Sequence, residues 1–169
     1  MKKFTVLIFI VIGIYLVVVF QAKKETPLIN KKKLVNLYYE GKMKRENLSI
    51  DSTRPTVIIW FHPECENCRY QLDIINGSIK RFAEVRFFFI TADTNFFKNK
   101  FDIIWPELIR STNVSFGITD KSKFVNEFGP VVTPSLLLFN RGGILKKKLY
   151  GEVKVEKILH LIKNITIPG

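Results

Sequence analysis

The feature that most constrains the fold is an apolar run followed closely by two cysteines. Residues 56–61 (TVIIWF) are β-branched and aromatic, the pattern of a strand buried on both faces. Cys65 and Cys68, the only cysteines of the 169-residue chain, lie just beyond this run, and a stretch of helical periodicity begins at them. The sequence therefore predicts a buried strand, a short turn and a helix over residues 65–82 that carries both thiols at its start.

The spacing of the two cysteines favours reversible disulfide chemistry. Residues three apart on a helix lie on one face, so their thiols can close a small ring and reopen it. Such a short cross-link removes little entropy from the unfolded chain, so it would stabilise the fold poorly. Unpaired N–H groups at a helix N-terminus favour a thiolate beside them. We therefore expect Cys65 to be the nucleophile and Cys68, one turn further on, to be the resolving thiol.

Two other uses of the cysteine pair stay open on the residues alone. A structural zinc site needs about four Cys, His or carboxylate ligands, and the chain offers two cysteines, His62 and the distant His160. Free cysteines can also be inert core residues. The position between a strand and a helix favours redox function, and we expect no metal and no cofactor.

The N-terminus carries a separate targeting segment. Residues 4–20 hold no charge and follow Met1-Lys2-Lys3, and a helix of that length reaches about 26 Å, the short end of a membrane span. The small-x-small cleavage pattern is poor here. We expect residues 1–22 to be an uncleaved signal anchor whose lysines stay in the cytoplasm. A cleaved, secreted form and a buried core helix are the alternatives.

After the anchor we expect a tether with a short leading element over residues 23–53, and one domain over residues 54–169. The formal net charge of +12 comes from lysines that are scattered along the chain, with clusters at 31–33 and 146–148. Scattered charge without an aromatic-interleaved basic motif argues against nucleic-acid binding. The first cluster suits contact with anionic head groups, and the second falls in a predicted edge strand.

Strand and helix patterns alternate through this domain. Further strands are predicted at residues 85–91, 114–118, 131–140 and 144–150. Further helices are predicted at residues 97–109, with an interruption at Trp105-Pro106, at 120–128 and from residue 155 onwards. This order predicts an α/β fold in which helices flank a mixed central β-sheet.

Three segments together resemble the thioredoxin-like superfamily, and more narrowly the membrane-anchored TlpA/ResA-type thiol–disulfide oxidoreductases of bacterial envelopes. These segments are the strand with Cys65-Glu66-Asn67-Cys68, residues 128–135 (FGPVVTPS) and residues 136–143. The resemblance covers residues 54–163 and implies a thioredoxin-like fold, with residues 96–118 as an inserted helix and strand. It also implies that Pro134 is a cis-proline facing the cysteines and that Thr133 offers backbone groups to an extended substrate.

Two departures from the family pattern concern proton transfer. Glu64 stands where many members have Trp, and Ile59 stands where thioredoxins place a buried acid. We therefore consider Glu64, Glu66 and His62 for proton transfer or pKa tuning, with a plain surface position as the alternative for His62. Glu66 opposes thiolate formation at Cys65 while the helix terminus favours it.

The resemblance implies a monomeric reductase anchored in the inner membrane of a bacterial envelope, with its domain facing the periplasm or the outside. Its partners would be protein disulfide or thiol substrates, in cytochrome c maturation or thiol repair, and a membrane electron-donor thiol protein. The alternatives are a disulfide-forming oxidant, a metal-binding or copper-chaperone protein without turnover, and a non-catalytic interaction domain. No histidine lies between Cys68 and Pro134, where a copper chaperone usually adds a ligand.

Overall fold

The computed structural model describes residues 34–39, 42–47, 53–96 and 101–166, together with Ile12. Apart from Ile12, the predicted signal anchor at residues 1–22 lies outside the described residues. Among the described residues, no helix is both long and apolar enough to cross a membrane.

The described strands form one mixed sheet. They are β1 (Leu34–Tyr39), β2 (Lys42–Asn47), β3 (Thr56–Trp60), β4 (Arg86–Thr91), β5 (Val114–Ile118), β6 (Ser135–Phe139) and β7 (Leu145–Tyr150). Their order across the sheet is β2-β1-β5-β4-β3-β6-β7. The neighbours β3 and β4 run parallel, as do β4 and β5, and the other neighbouring pairs run antiparallel. The mixed central sheet predicted from the sequence is therefore confirmed.

The described helices are α1 (Glu66–Asn76), α2 (Phe101–Ile104), α3 (Pro106–Arg110), α4 (Lys121–Phe128) and α5 (Val155–Thr166), with a 3-10 turn at Ile79–Phe82. The helix predicted over residues 65–82 is thus shorter than expected, because it ends at Asn76 and Gly77 caps it with an N–H bond to the Asp73 carbonyl. The predicted break at Pro106 is confirmed, since this residue begins α3, where its missing N–H is not needed.

The sheet separates two apolar cores. Successive side chains of β3 alternate between them, with Val57 and Ile59 in the larger core and Ile58 and Trp60 in the smaller one. All four are at most 2% exposed, so the run at residues 56–61 is buried on both faces as predicted. The larger core takes the apolar faces of α1 and α5, and the smaller core takes Phe124 of α4.

Two strands within the segment expected to be a tether and leading element extend the sheet. β1 pairs with β5, with Tyr38 opposite Phe116, and β2 pairs with β1. The sheet therefore includes residues from Leu34 onwards, ahead of residue 54. On the opposite side β7 is the edge strand, and its Lys146 and Lys147 are exposed as predicted.

The region between β4 and β5 is fixed to the far half of α1. Trp105 Nε1 donates to Asp73 Oδ1 at 2.7 Å. Asn76 Oδ1 accepts from the backbone N–H groups of Glu107 and Leu108, at 3.1 Å each, and so caps α3 from outside. These contacts hold α1 from its C-terminal end, while its N-terminal end carries the cysteines.

Candidate active site

The two cysteines lie at the start of α1, where the sequence predicted them. Cys65 is the N-cap residue, with extended backbone angles (φ −80°, ψ 119°), and its Sγ accepts from the Cys68 backbone N–H at 3.3 Å. Cys65 is half-buried, Cys68 is fully buried, and both are free thiols. A backbone donor at the helix N-terminus is thus directed at the more accessible of the two sulfurs.

The chain between β3 and α1 turns sharply to place Cys65. Phe61 continues the strand direction by donating its N–H to the Ile90 carbonyl at 3.0 Å, and its ring packs edge-on against Phe96, with ring centroids 5.0 Å apart. The Cys65 N–H then closes a turn by donating to the His62 carbonyl at 3.1 Å. Burial of Phe61 therefore fixes the point from which residues 62–65, which we call the redox turn, lead to α1.

Cys68 lies among the apolar side chains of the larger core. Burial, and next the Cys65 thiol beside it, raise the pKa of Cys68 from 9.0 to about 12. Hydrogen bonding from the His62 backbone and the Thr133 side chain acts in the opposite direction on this pKa but is outweighed. Ile59 is fully buried in the same core, and it occupies the position at which the resemblance implies a buried acid in thioredoxins. Cys68 is therefore a neutral thiol at physiological pH.

Thr133, the residue before Pro134, lies against the cysteine pair. The Thr133–Pro134 peptide bond is cis, as the resemblance implied. The Cys65 thiol faces the Thr133 carbonyl, with a sulfur–oxygen distance of 3.8 Å. Thr133 is exposed while Pro134 is buried. The structure thus brings together all four residues that the sequence marked for catalysis and substrate binding.

A lysine from the edge strand holds the loop that leads to Pro134. Lys148 Nζ donates to the carbonyl of Phe128 at 2.7 Å and to that of Pro130 at 2.6 Å. Partial burial lowers the pKa of Lys148. In the sequence this lysine is one member of a basic cluster on a predicted edge strand, and its contacts with a loop 18 to 20 positions away have no local sequence signal.

A second connection joins α1 to the same region. The fully buried Gln71 side chain pairs with the Val153 backbone: its Nε2 donates to the Val153 carbonyl at 3.1 Å and its Oε1 accepts the Val153 N–H at 2.6 Å. Two residues earlier, the Gly151 N–H donates to the Pro134 carbonyl at 2.8 Å. Sequence reasoning missed Gln71, although a lone polar residue between Cys68 and Leu72 on the apolar helix face is a detectable signal.

The three residues considered for proton transfer lie on the turn around Cys65. Glu64 and Glu66 are exposed, and neither carboxylate makes a hydrogen bond or ion pair with another described residue. His62 is half-buried, and its Nδ1 accepts the Glu64 backbone N–H at 3.2 Å, so the neutral ring carries its proton on Nε2. Within the described ranges, no three His, Cys, Asp or Glu side chains are grouped as a metal site.

Comparison with solved structures identifies the fold as thioredoxin-like. MTB dsbF, solved in mixed oxidized and reduced forms, matches with a TM-score of 0.66 and 13% identity, over 83% of this chain and 100% of that chain. Etrx1, an exposed lipoprotein thioredoxin of Streptococcus pneumoniae, matches with 0.57 and 17%, over 77% and 97%. The reduced 2-Cys peroxiredoxin of Plasmodium vivax matches with 0.61 and 11%, over 82% and 81%.

No family model and no curated protein matches the chain. At 11–17% identity, the structural matches establish the fold and leave the chemistry to be argued from the site.

Proposed function

We propose that this protein is a thiol–disulfide oxidoreductase that reduces disulfides of other proteins. The observation that carries the proposal is the asymmetry of the cysteine pair: Cys65 is partly exposed at a helix N-terminus, while Cys68 is buried one turn away. An accessible sulfur with a backbone donor suits attack on a substrate disulfide. A buried thiol beside it suits intramolecular release of the product.

The reaction takes two exchanges. In the first, the Cys65 thiolate attacks one sulfur of a substrate disulfide, the Cys65–substrate bond forms, and the other substrate sulfur leaves as a thiolate that takes up a proton. In the second, Cys68 loses its proton and attacks Cys65 Sγ. The Cys65–Cys68 disulfide forms, the remaining substrate sulfur leaves, and the substrate has gained two electrons and two protons.

Deprotonation of Cys68 controls the second exchange. With its pKa at about 12, the thiol must pass its proton to an acceptor as the bond forms. Ile59 is apolar and cannot accept the proton in the core. The proton therefore goes either to the departing substrate thiolate or to a group on the turn around Cys65. Glu64, Glu66 and His62 are the titratable groups of that turn and are our candidates for this transfer.

Thr133 and Pro134 provide the surface on which the substrate lies. Thr133 is exposed directly beside Cys65, so an extended substrate segment that bonds to the Thr133 backbone would present its disulfide to Cys65 Sγ. Val132, two residues before Pro134, and Tyr150, which pairs with Ser135, are 55% and 57% exposed and offer apolar contact to such a segment. We therefore expect unfolded or extended protein segments to be better substrates than small disulfides.

We place the protein in a bacterial envelope, anchored in the inner membrane with the domain outside the cytoplasm. The uncharged residues 4–20 after a basic start support this placement. Etrx1, which shares the fold, is itself an exposed lipoprotein thioredoxin. Cytochrome c maturation or thiol repair, with a membrane thiol protein as electron donor, is the role that we propose there.

The test is a trapping experiment with Cys68→Ser, which removes the resolving thiol. We expect this variant to accumulate mixed disulfides with substrate proteins, visible as reducible adducts on gels. The double variant Cys65→Ser/Cys68→Ser is the matched control and should form none. Absence of Cys65-dependent adducts under both reducing and oxidising conditions would refute the exchange mechanism. Alkylation of the thiols in intact cells then separates a reductant, found mostly reduced, from an oxidant.

A further inference from the structure

The polypeptide enters the sheet at the same edge from which it leaves for the cysteines. The parallel strands β3, β4 and β5 all end at one edge, and residues 61–65 lead from there to the redox pair. We call this the redox edge. Because β1 runs antiparallel to β5, it begins at the redox edge, and so the segment that precedes Leu34 joins the domain on that side.

The strand register gives the distances. Trp60 pairs with Ile90, Ile90 with Gly117, and Gly117 with Leu37, so Leu37 lies in the same row across the sheet as the last residue of β3. Leu34 lies three residues further toward the redox edge, which is about 10 Å beyond that row. β1 is three strands away from β3, or about 14 Å sideways. The entry point and the redox turn are therefore near neighbours at one end of the domain.

The sequence before Leu34 limits how far this edge can move from a membrane. Residues 21–33 separate the uncharged segment from β1, and a chain of this length spans at most about 45 Å when fully extended. Its last three residues are Lys31, Lys32 and Lys33. Such a cluster is attracted to anionic head groups within about a Debye length of the surface.

We infer that the redox pair faces the membrane surface and acts on disulfides held close to it, such as those of membrane-embedded or lipid-attached proteins. The inference depends on the proposed anchor and the proposed exchange chemistry. The edge at which β3, β4 and β5 begin then points away from the membrane. Soluble proteins far from the surface are the poorer substrates.

The orientation is tested on the full chain in vesicles of anionic phospholipid, with a matched pair of positions at opposite ends of β4. Ala92 follows β4 at the redox edge and Glu84 precedes it at the other edge, and both are exposed. Each is replaced in turn by a fluorescent amino acid, and energy transfer to acceptor-labelled head groups is measured. Position 92 should transfer more strongly than position 84. Equal transfer from the two positions, or stronger transfer from position 84, overturns the inference.

The chemical arm uses a pyridyl disulfide attached directly to a lipid head group, with the same group on a soluble peptide as the control. Twenty Gly/Ser residues inserted after Lys24 lengthen the connection between the uncharged segment and β1 from 13 to about 33 residues. Because a longer connection lowers the effective concentration of the domain at the membrane, the lipid-linked disulfide should be reduced about fourfold more slowly. The soluble rate should stay unchanged. A lipid-linked rate that does not depend on the insertion also overturns the inference.

Failure of the underlying proposals gives different results. Loss of activity on the soluble peptide contradicts the exchange chemistry itself. A full chain that does not float with the vesicles contradicts the anchor, and the orientation inference falls with it. The remaining case is a chain that reduces the peptide and floats with the vesicles. If positions 84 and 92 then show equal energy transfer, only the proposed orientation is overturned.

Discussion

The ionisation of Cys68 should make the stability of the reduced protein depend on pH in a way that one substitution removes. Burial, followed by the effect of the Cys65 thiol, raises the Cys68 pKa to about 12 from a reference value of 9.0. A thiol with a raised pKa in the folded state stabilises the fold fully below the unfolded pKa. That contribution is lost as the pH rises from about 9 toward 12.

The size of this effect follows from the linkage relation. Three pKa units correspond to about 4 kcal/mol in full, and about 3 kcal/mol of this is lost by about pH 11, since the unfolded thiol is then ionised and the folded one is mostly neutral. Cys68→Ala keeps a small apolar residue in the core and has no proton to lose. The stability advantage of the natural protein over this variant should therefore shrink by about 3 kcal/mol between about pH 8 and pH 11.

The assay is urea unfolding of the intact, reduced chain in mild detergent, at matched pH values for both proteins. Tyrosines and lysines also titrate in this range, but they are the same in both proteins, so their effects cancel in the difference. Parallel pH profiles for the natural protein and Cys68→Ala would refute the reasoning. They would mean that the core does not suppress ionisation of Cys68.

Two further predictions concern the contacts that position the site. Gln71→Leu leaves both backbone groups of the buried Val153 without their partner, so we expect a loss of about 3 kcal/mol in the free energy of urea unfolding. Lys148→Met removes the ammonium that joins two carbonyls of the loop before Pro134, which should cost about 1 kcal/mol. It should also lower kcat/KM for protein disulfides more than for a small disulfide, measured side by side.

Each of these two variants has a matched control. Asn67→Ala changes an exposed residue of α1, and Lys146→Met changes an exposed lysine of the same edge strand as Lys148. Both should shift the free energy of unfolding by at most about 0.5 kcal/mol. If Gln71→Leu is no more destabilising than Asn67→Ala, the Val153 pairing does not hold the site. If Lys148→Met matches Lys146→Met in kcat/KM, the loop does not need the ammonium.

Local patterns in the sequence were sufficient for most of the central elements. The apolar run at residues 56–61 and the run at 85–91 are β3 and β4, because strands buried on both faces need continuous apolar residues. Asp120 caps α4 as predicted, since its carboxylate accepts from the Ser122 and Lys123 N–H groups. In each case the deciding signal is a pattern of residue types within a few positions of the chain.

The two misjudged elements have different causes. Gly77 ends α1 earlier than the apolar spacing of Leu72, Ile75 and Ile79 indicated, because those side chains stay buried even when a 3-10 turn replaces the last helical turn. The segment around Leu34 and Leu37 has a weak pattern of its own and becomes a strand through pairing with β5.

The sequence by itself determined the chemistry available to this protein: two cysteines three apart, after a buried strand and at the start of a helix. It also determined that no acid lies at position 59. Only the tertiary structure decided how unlike the two thiols are, because the raised pKa of Cys68 comes from a core assembled from distant strands and helices. It likewise decided which carbonyl faces Cys65 and at which edge the chain enters, since both depend on pairings between segments far apart in the sequence.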